Sequence, residues 1–170
     1  MGSVTIRRGA ATGIEKAIAN MKPVSVKVGW FPSARYDDKN KTPVAYVAAI
    51  QEYGSPSNNI PARPFIRPAI AHNEKKWRDI GKRGLRAVVY GKATVTQVLE
   101  NLGIAAVGDI QRSIAQVYSP ALKKATVRAR LARKTYKGPL NKTQARSITK
   151  PLIDTGHMQA TVAYELSSES

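Results

Sequence analysis

Hydrophobic and polar positions follow two rhythms along the chain. From Val24 to Phe31 (VSVKVGWF), Val24, Val26, Val28 and Trp30 fall on one side and Ser25 and Lys27 on the other. That period of two predicts a half-buried strand. Met158 to Leu166 (MQATVAYEL) alternates as well, with Val162, Tyr164 and Leu166 on one face, and predicts a second strand near the far end. Between them the period becomes helical. Thr42-Pro43 opens a helix over Val44 to Tyr53, with Thr42 as N-cap, Pro43 at the first helical position and Gly54 as the stop signal. Ala69 to Tyr90 carries Ile70, Trp77, Ile80 and Leu85 at helical spacing; Gly81 and Gly84 weaken it and Gly91 ends it. The longest stripe is Val95, Val98, Leu99, Leu102, Ala106, Ile110, Ile114 and Val117. It predicts a helix from Val95 to Tyr118, capped by Thr94 or Thr96, in spite of Gly103 and Gly108. Gly13 to Met21, after Thr12 and before Pro23, reads as a further short amphipathic helix.

The segments between these elements are irregular for stated reasons. Ser55 to Pro68 contains Pro56, Pro61, Pro64 and Pro68, which neither a helix interior nor a central strand accommodates, so it reads as a stiff extended connector. Ser119 to Pro151 is basic, polar and broken by Pro120, Gly138 and Pro139. It reads as an extended arm with a turn or two of helix around Thr126 to Lys134. Residues 1–12 read as a flexible lead and Ser167 to Ser170 as a tail. Two strands at opposite ends with helices between them predict one α+β domain over residues 1–170. In it, a small antiparallel sheet of the N-terminal and C-terminal strands packs with a long central helix and shorter helices. Two strands alone are marginal. A third strand hidden in a loop, or a neighbouring subunit, is therefore expected to complete the sheet.

Composition narrows the function classes. The 170 residues include no cysteine, which excludes disulfide scaffolds, thiolate zinc sites and cysteine nucleophiles. No apolar run approaches the roughly 18 residues of a membrane span, and Met1 to Thr12 has no apolar region of the signal-peptide kind. With 28 Lys and Arg against 11 Asp and Glu, the net charge of +17 points to a polyanion or an acidic partner surface.

Little catalytic chemistry is legible. His72 and His157 have no partner at metal-ligand spacing. Asp37-Asp38 reads as a solvated loop pair and Glu52 as a helix-end acid. No nucleophile elbow, Walker loop or dinucleotide fingerprint is present, and Gly81-Lys-Arg-Gly84 lacks the spacing of a phosphate loop. An enzyme is not expected, and no metal or cofactor is implied. The charge is the physical signal. From Gln111 to Ile153 there are 11 basic residues and no acidic one: Arg112, Lys123, Lys124, Arg128, Arg130, Arg133, Lys134, Lys137, Lys142, Arg146 and Lys150. This block is a candidate contact for DNA or for an acidic protein surface. Base-specific reading is unsupported, since only Tyr118 and Tyr136 interleave with it. A second group, Lys75, Lys76, Arg78, Lys82, Arg83 and Arg86, reads as an exposed helix surface balanced by Glu74 and Asp79. The connector Ile60-Pro-Ala-Arg-Pro-Phe-Ile-Arg-Pro68 sets two arginines and two large apolar residues on a stiff backbone. It suits a subunit contact or an intramolecular strap anchored by Phe65.

Taken in order, these residues resemble a family. Glu52-Tyr53-Gly54, then Ile60-Pro-Ala-Arg-Pro-Phe65, then Tyr118-Ser-Pro-Ala-Leu122, Ala125-Thr-Val-Arg-Ala-Arg130 and Lys150-Pro-Leu-Ile-Asp-Thr-Gly156 resemble the ordered motifs of tail-completion or neck proteins of tailed bacteriophages. The resemblance spans roughly Val24 to Leu166. Tyr53 stands where the family more often has Phe and Met158 where it more often has Leu, both conservative in volume. The resemblance implies a non-enzymatic virion component at the head–tail junction or the top of the tail tube, assembled in host cytoplasm. Members are expected to form a ring, six-fold or twelve-fold, around the DNA path. Partners would be further copies, head-connector and tail-tube or tail-terminator proteins, and packaged double-stranded DNA, with no membrane. It further implies a strap or subunit interface built from Tyr53, Gly54, Pro61, Arg63, Pro64, Phe65, Arg67, Thr155 and Gly156. Arg63 would act there by hydrogen bonds, Phe65 by burial, and Thr155-Gly156 as the turn before the last strand. A stand-alone basic nucleic-acid-binding module is the alternative, with a basic nuclease behind it.

Overall fold

Two strands from opposite ends of the described chain pair antiparallel in a computed structural model that describes residues 24–133, 145 and 148–168. β1 (Val24–Gly29) and β2 (Ala163–Ser168) run in a register that sets Val26 against Leu166, Lys27 against Glu165 and Val28 against Tyr164. The period of two then decides the faces. Val24, Val26, Val28, Tyr164 and Leu166 share one face, while Ser25, Lys27, Glu165 and Ser167 share the other, where the Ser25 and Ser167 hydroxyls meet at 2.8 Å. The chain is α+β. In order it forms β1, α1 (Val44–Tyr53), a short 3₁₀ turn (Pro56–Asn58), α2 (Ile66–Val89), α3 (Val95–Gln116), α4 (Lys124–Arg133), α5 (His157–Ala160) and β2.

α3 is the hub, packing against both strands on one side and against α2 on the other. Among the described residues no third strand completes the sheet, and α3 instead covers its apolar face. Packing on a helix is what two strands need to persist. Two glycines make the close approaches. A Cβ at Gly103 would lie 2.6 Å from the Tyr164 ring, and one at Gly84 would lie 2.2 Å from Val98. Gly84 and Gly103 are thus where other elements come nearest, whereas Gly81 has open space around it. Val44, Ala48, Phe65, Ala69, Ile110, Ile114, Leu152, Met158 and Val162 form the core. Trp30 closes one side of it, donating from Nε1 to the Met158 carbonyl at 2.8 Å and meeting Phe65 edge-on at 5.8 Å.

Several boundaries differ from expectation. Thr42 does not cap α1. Pro43 is the N-cap, and Thr42 donates from its amide and hydroxyl to Asp38 at 2.8 and 2.6 Å. The short Asp side chain offers a local loop closure that competes with capping. Thr94 caps α3 in a reciprocal capping box with Gln97. The proline-rich connector is extended only in its middle. It holds a 3₁₀ turn at Pro56, and Pro68 lies inside α2. A proline in the first helical turn costs nothing there, because that N–H has no partner within the helix. The second strand starts at Ala163, since His157–Ala160 is a short helix, and it extends to Ser168 through part of the expected tail. The turn or two of helix expected around Thr126 to Lys134 is present as α4 (Lys124–Arg133), whereas Ile148, further along the expected extended arm, is buried. The expected helix at 13–21 and the lead at 1–12 lie outside the described residues. Among those described, no helix is long and apolar enough to cross a membrane.

Candidate functional site

The end of α1, the connector and the start of α2 form one knot, and its centre is a carboxylate. Val44, Ala48 and Glu52 lie four residues apart on the buried stripe of α1, and Glu52 is 1% exposed. Its Oε2 accepts from the amides of Phe65 and Ile66 at 2.7 and 2.8 Å. Its Oε1 accepts from the Arg67 amide at 3.2 Å and from Arg67 Nε at 2.9 Å. These amides open α2 and have no partner within that helix, and a negative charge there also meets the positive end of the helix dipole. α1 therefore caps α2. Burial alone would raise the Glu52 carboxyl; the bonds from Phe65, Ile66 and Arg67 outweigh it and hold the group below its ordinary value.

The rest of the knot locks around that contact. Gly54 ends α1 at φ 79°, and a Cβ there would lie 2.8 Å from the Ala62 amide nitrogen. No other residue fits both the left-handed backbone and the space. Phe65 is fully buried. Arg63, 5% exposed, donates from Nε to the Pro120 carbonyl at 2.7 Å and from its terminal nitrogens to the Ala121 carbonyl at 3.2 Å and Gln51 Oε1 at 3.4 Å. One guanidinium thus ties the connector to the chain leaving α3. Arg67 also lies 5.3 Å over the ring of Tyr53, which is 70% exposed. Pro61 and Pro64 are exposed, and Pro61 lines a cleft with Tyr53.

Tyr53, Gly54, Pro61, Arg63, Pro64, Phe65 and Arg67 therefore lie in one stretch of the fold, from the end of α1 to the start of α2. Thr155 and Gly156 do not join it. They line a separate cleft of about 250 Å³ with Tyr36, Gln51, Arg130 and His157. Gly156, at φ 81°, caps α5 rather than turning directly into the last strand.

The 11 basic residues from Gln111 onward are not one surface. Arg130 is buried, its guanidinium donating to the carbonyls of Ile148, Lys150, Pro151 and Ile153 at 2.6 to 3.2 Å and lying 3.5 Å from Asp154. A buried guanidinium persists only with such a set of acceptors, so Arg130 is a folding residue and no contact for DNA. Lys150 is half-buried, donating to the Ala115 carbonyl at 3.1 Å beside the Tyr118 ring. Lys123 donates to the Asn59 carbonyl at 3.1 Å, and Arg112 pairs with Asp109 at 2.9 Å. Lys124 and Arg128 are exposed on α4. Arg133 ends α4. Lys134, Lys137, Lys142 and Arg146 lie outside the described residues.

Two carboxylates escape a reading of charge along the chain. Glu52, expected as a helix-end acid, stands next to the last residue of α1 and is buried. Asp109 lies within the apolar face of α3 at 2% exposure and accepts from Lys76 at 2.7 Å and Trp77 Nε1 at 2.8 Å, both on α2. Burial would raise its pKa; hydrogen bonds from Lys76 and Trp77, with the charges of Lys76 and Arg112, lower it. The available signal was position: Glu52 continues the Val44–Ala48 stripe, and Asp109 sits between Ala106 and Ile110. Among the described residues no buried side-chain nitrogen or oxygen lacks a partner, and no group of His, Cys, Asp or Glu is arranged to hold a metal. The knot can hold a surface in one shape and display Tyr53, Pro61 and Pro64 on it. Comparison with family models, curated proteins and solved structures returned no match to this chain.

Proposed function

We propose that this chain is a structural virion protein of a tailed bacteriophage, completing the tail or joining it to the head as part of a ring around the DNA path. The observation that carries this reading is the knot. The two motifs of the resemblance here, Glu52 to Gly54 and Ile60 to Phe65, are joined where the Glu52 carboxylate accepts from the Phe65 amide, with Ile66 and Arg67 beyond it, and Tyr53 stays exposed. A rigid surface with an exposed aromatic costs little entropy to dock, which suits a protein acting through subunit contacts and without catalysis. Its partners in this reading are further copies and the adjoining head-connector and tail-tube or tail-terminator proteins, in the virion neck and, during assembly, in host cytoplasm.

The test is mass by light scattering on the purified chain at low and high salt, alone and mixed with the head-connector and tail-tube proteins of the same phage. A defined ring, or a monomer that assembles only on those partners, is the expected result. A chain that stays monomeric with every partner and coats duplex DNA would overturn the reading in favour of a stand-alone nucleic-acid-binding module.

A further inference from the structure

We infer that the outer face of α2, rather than the exposed basic pair of α4, is the surface that contacts duplex DNA. α2 carries seven basic and two acidic side chains. Its inner face is set by Ala69, Trp77, Ile80 and Gly84, which are buried or half-buried against α3. At 100° per residue, Lys75, Arg78, Lys82 and Arg86 fall within about 80° of arc on the opposite side, and they span about 16 Å along the axis. All four are exposed, as is Arg83 beside them. Glu74 is held by Arg78, and Asp79 sits half-buried at the edge of the row. Among the described residues Lys75, Lys82, Arg83 and Arg86 form no ion pair.

Among the described residues of the later basic stretch, Lys124 and Arg128 are exposed on α4, and four others are tied into the fold. Arg130, Lys150, Lys123 and Arg112 each bind carbonyls or a carboxylate of the fold. The α2 row instead offers three exposed cations free of ion pairs, Lys75, Lys82 and Arg86, in line with Arg78, which holds Glu74. Duplex DNA presents about one negative charge per 1.7 Å, some nine over the length of the row. An acidic protein surface would have to match the row residue by residue, whereas a phosphate backbone does so in any register. The surface carries no base-reading chemistry, so the binding is independent of sequence. This deepens the assembly reading by naming how the chain meets the DNA path.

The test is fluorescence anisotropy of a labelled 24-base-pair duplex titrated with the full chain between 50 and 200 mM NaCl. Wild type is compared with Lys82→Gln/Arg86→Gln and with Lys124→Gln/Arg128→Gln. All four side chains are exposed, and thermal melts check that each variant folds. The expected result is a loss of at least tenfold in affinity for the α2 pair at the lowest salt. The slope of log affinity against log salt should fall by about 2, the signature of two lost phosphate contacts, while the α4 pair changes little. An equal loss in both variants, no binding by wild type, or equally tight capture of poly-glutamate at matched charge would overturn it. Light scattering on the same variants reads assembly separately, so failure of DNA contact and failure of ring formation are told apart.

Discussion

Glu52 is where a single residue governs most. Its carboxylate satisfies three amides and one guanidinium, and no water replaces it at 1% exposure. Glu52→Gln keeps the size but removes the charge and turns one acceptor into a donor facing amides. Losing such buried charged bonds costs about 2–3 kcal/mol, since the stranded amides retain their desolvation penalty. Urea unfolding should show that drop in the midpoint with an unchanged slope. A midpoint within experimental scatter of wild type would show that the carboxylate does not cap α2. Nothing in the charge pattern marks Glu52 as buried. Its neighbours Gln51 and Tyr53 are polar or exposed, and only its spacing from Val44 and Ala48 places it inward. Arg130 has the same history: one cation among many along the chain, distinguished only by the carbonyls that the fold brings around it.

At the scale of elements, the hairpin of α2 and α3 depends on a residue that propensity disfavours. Replacing Gly84 by Ala gains about 1 kcal/mol in helix propensity. It also sets a methyl 2.2 Å from the Val98 side chain on a neighbouring helix. Overpacking of this kind costs about 1–3 kcal/mol, so packing wins and the sign is net destabilising. Thermal melts should show Gly84→Ala below wild type and Gly84→Ala/Val98→Ala recovering part of the loss. A stabilised single variant would mean the helices separate freely at that point. The elements themselves were legible from period alone: both strands, and the helices at Val44, Ala69 and Val95, lie where the hydrophobic rhythm puts them. The ends were not. α2 begins three residues early because a carboxylate from another helix caps it, and β2 begins late because Gly156 admits a short helix first. The first is decided by a contact from another helix, the second by a glycine conformation shortly before the strand.

For the whole molecule, acid stability follows from the two buried carboxylates. Both Glu52 and Asp109 are held below their ordinary values of 4.5 and 3.8. A depressed folded-state pKa contributes stability that is fully present above the unfolded value and is lost as pH falls through the folded one. Stability should therefore be flat from neutral pH to about 5 and fall progressively below the ordinary values as these groups take up protons. Urea midpoints at pH 7, 5, 4 and 3 measure this. Glu52→Gln should show a shallower fall over the acid range, and a slope equal to that of wild type would assign the acid loss to other groups.

What the sequence determined by itself is local: period sets strand or helix, glycine and proline punctuate, and composition sets the sign and size of the charge. These depend on residues within a few positions of one another. Only the tertiary structure decided which charges are part of the fold and which face water. Charge alone does not tell Glu52, Asp109, Arg63 and Arg130 from solvated neighbours, because their hydrogen-bond partners come from segments far along the chain. The same packing turns Gly84 and Gly103 from weak points of a helix into the places where elements touch. It also leaves Lys75, Lys82 and Arg86 exposed in one row on the outer side of α2.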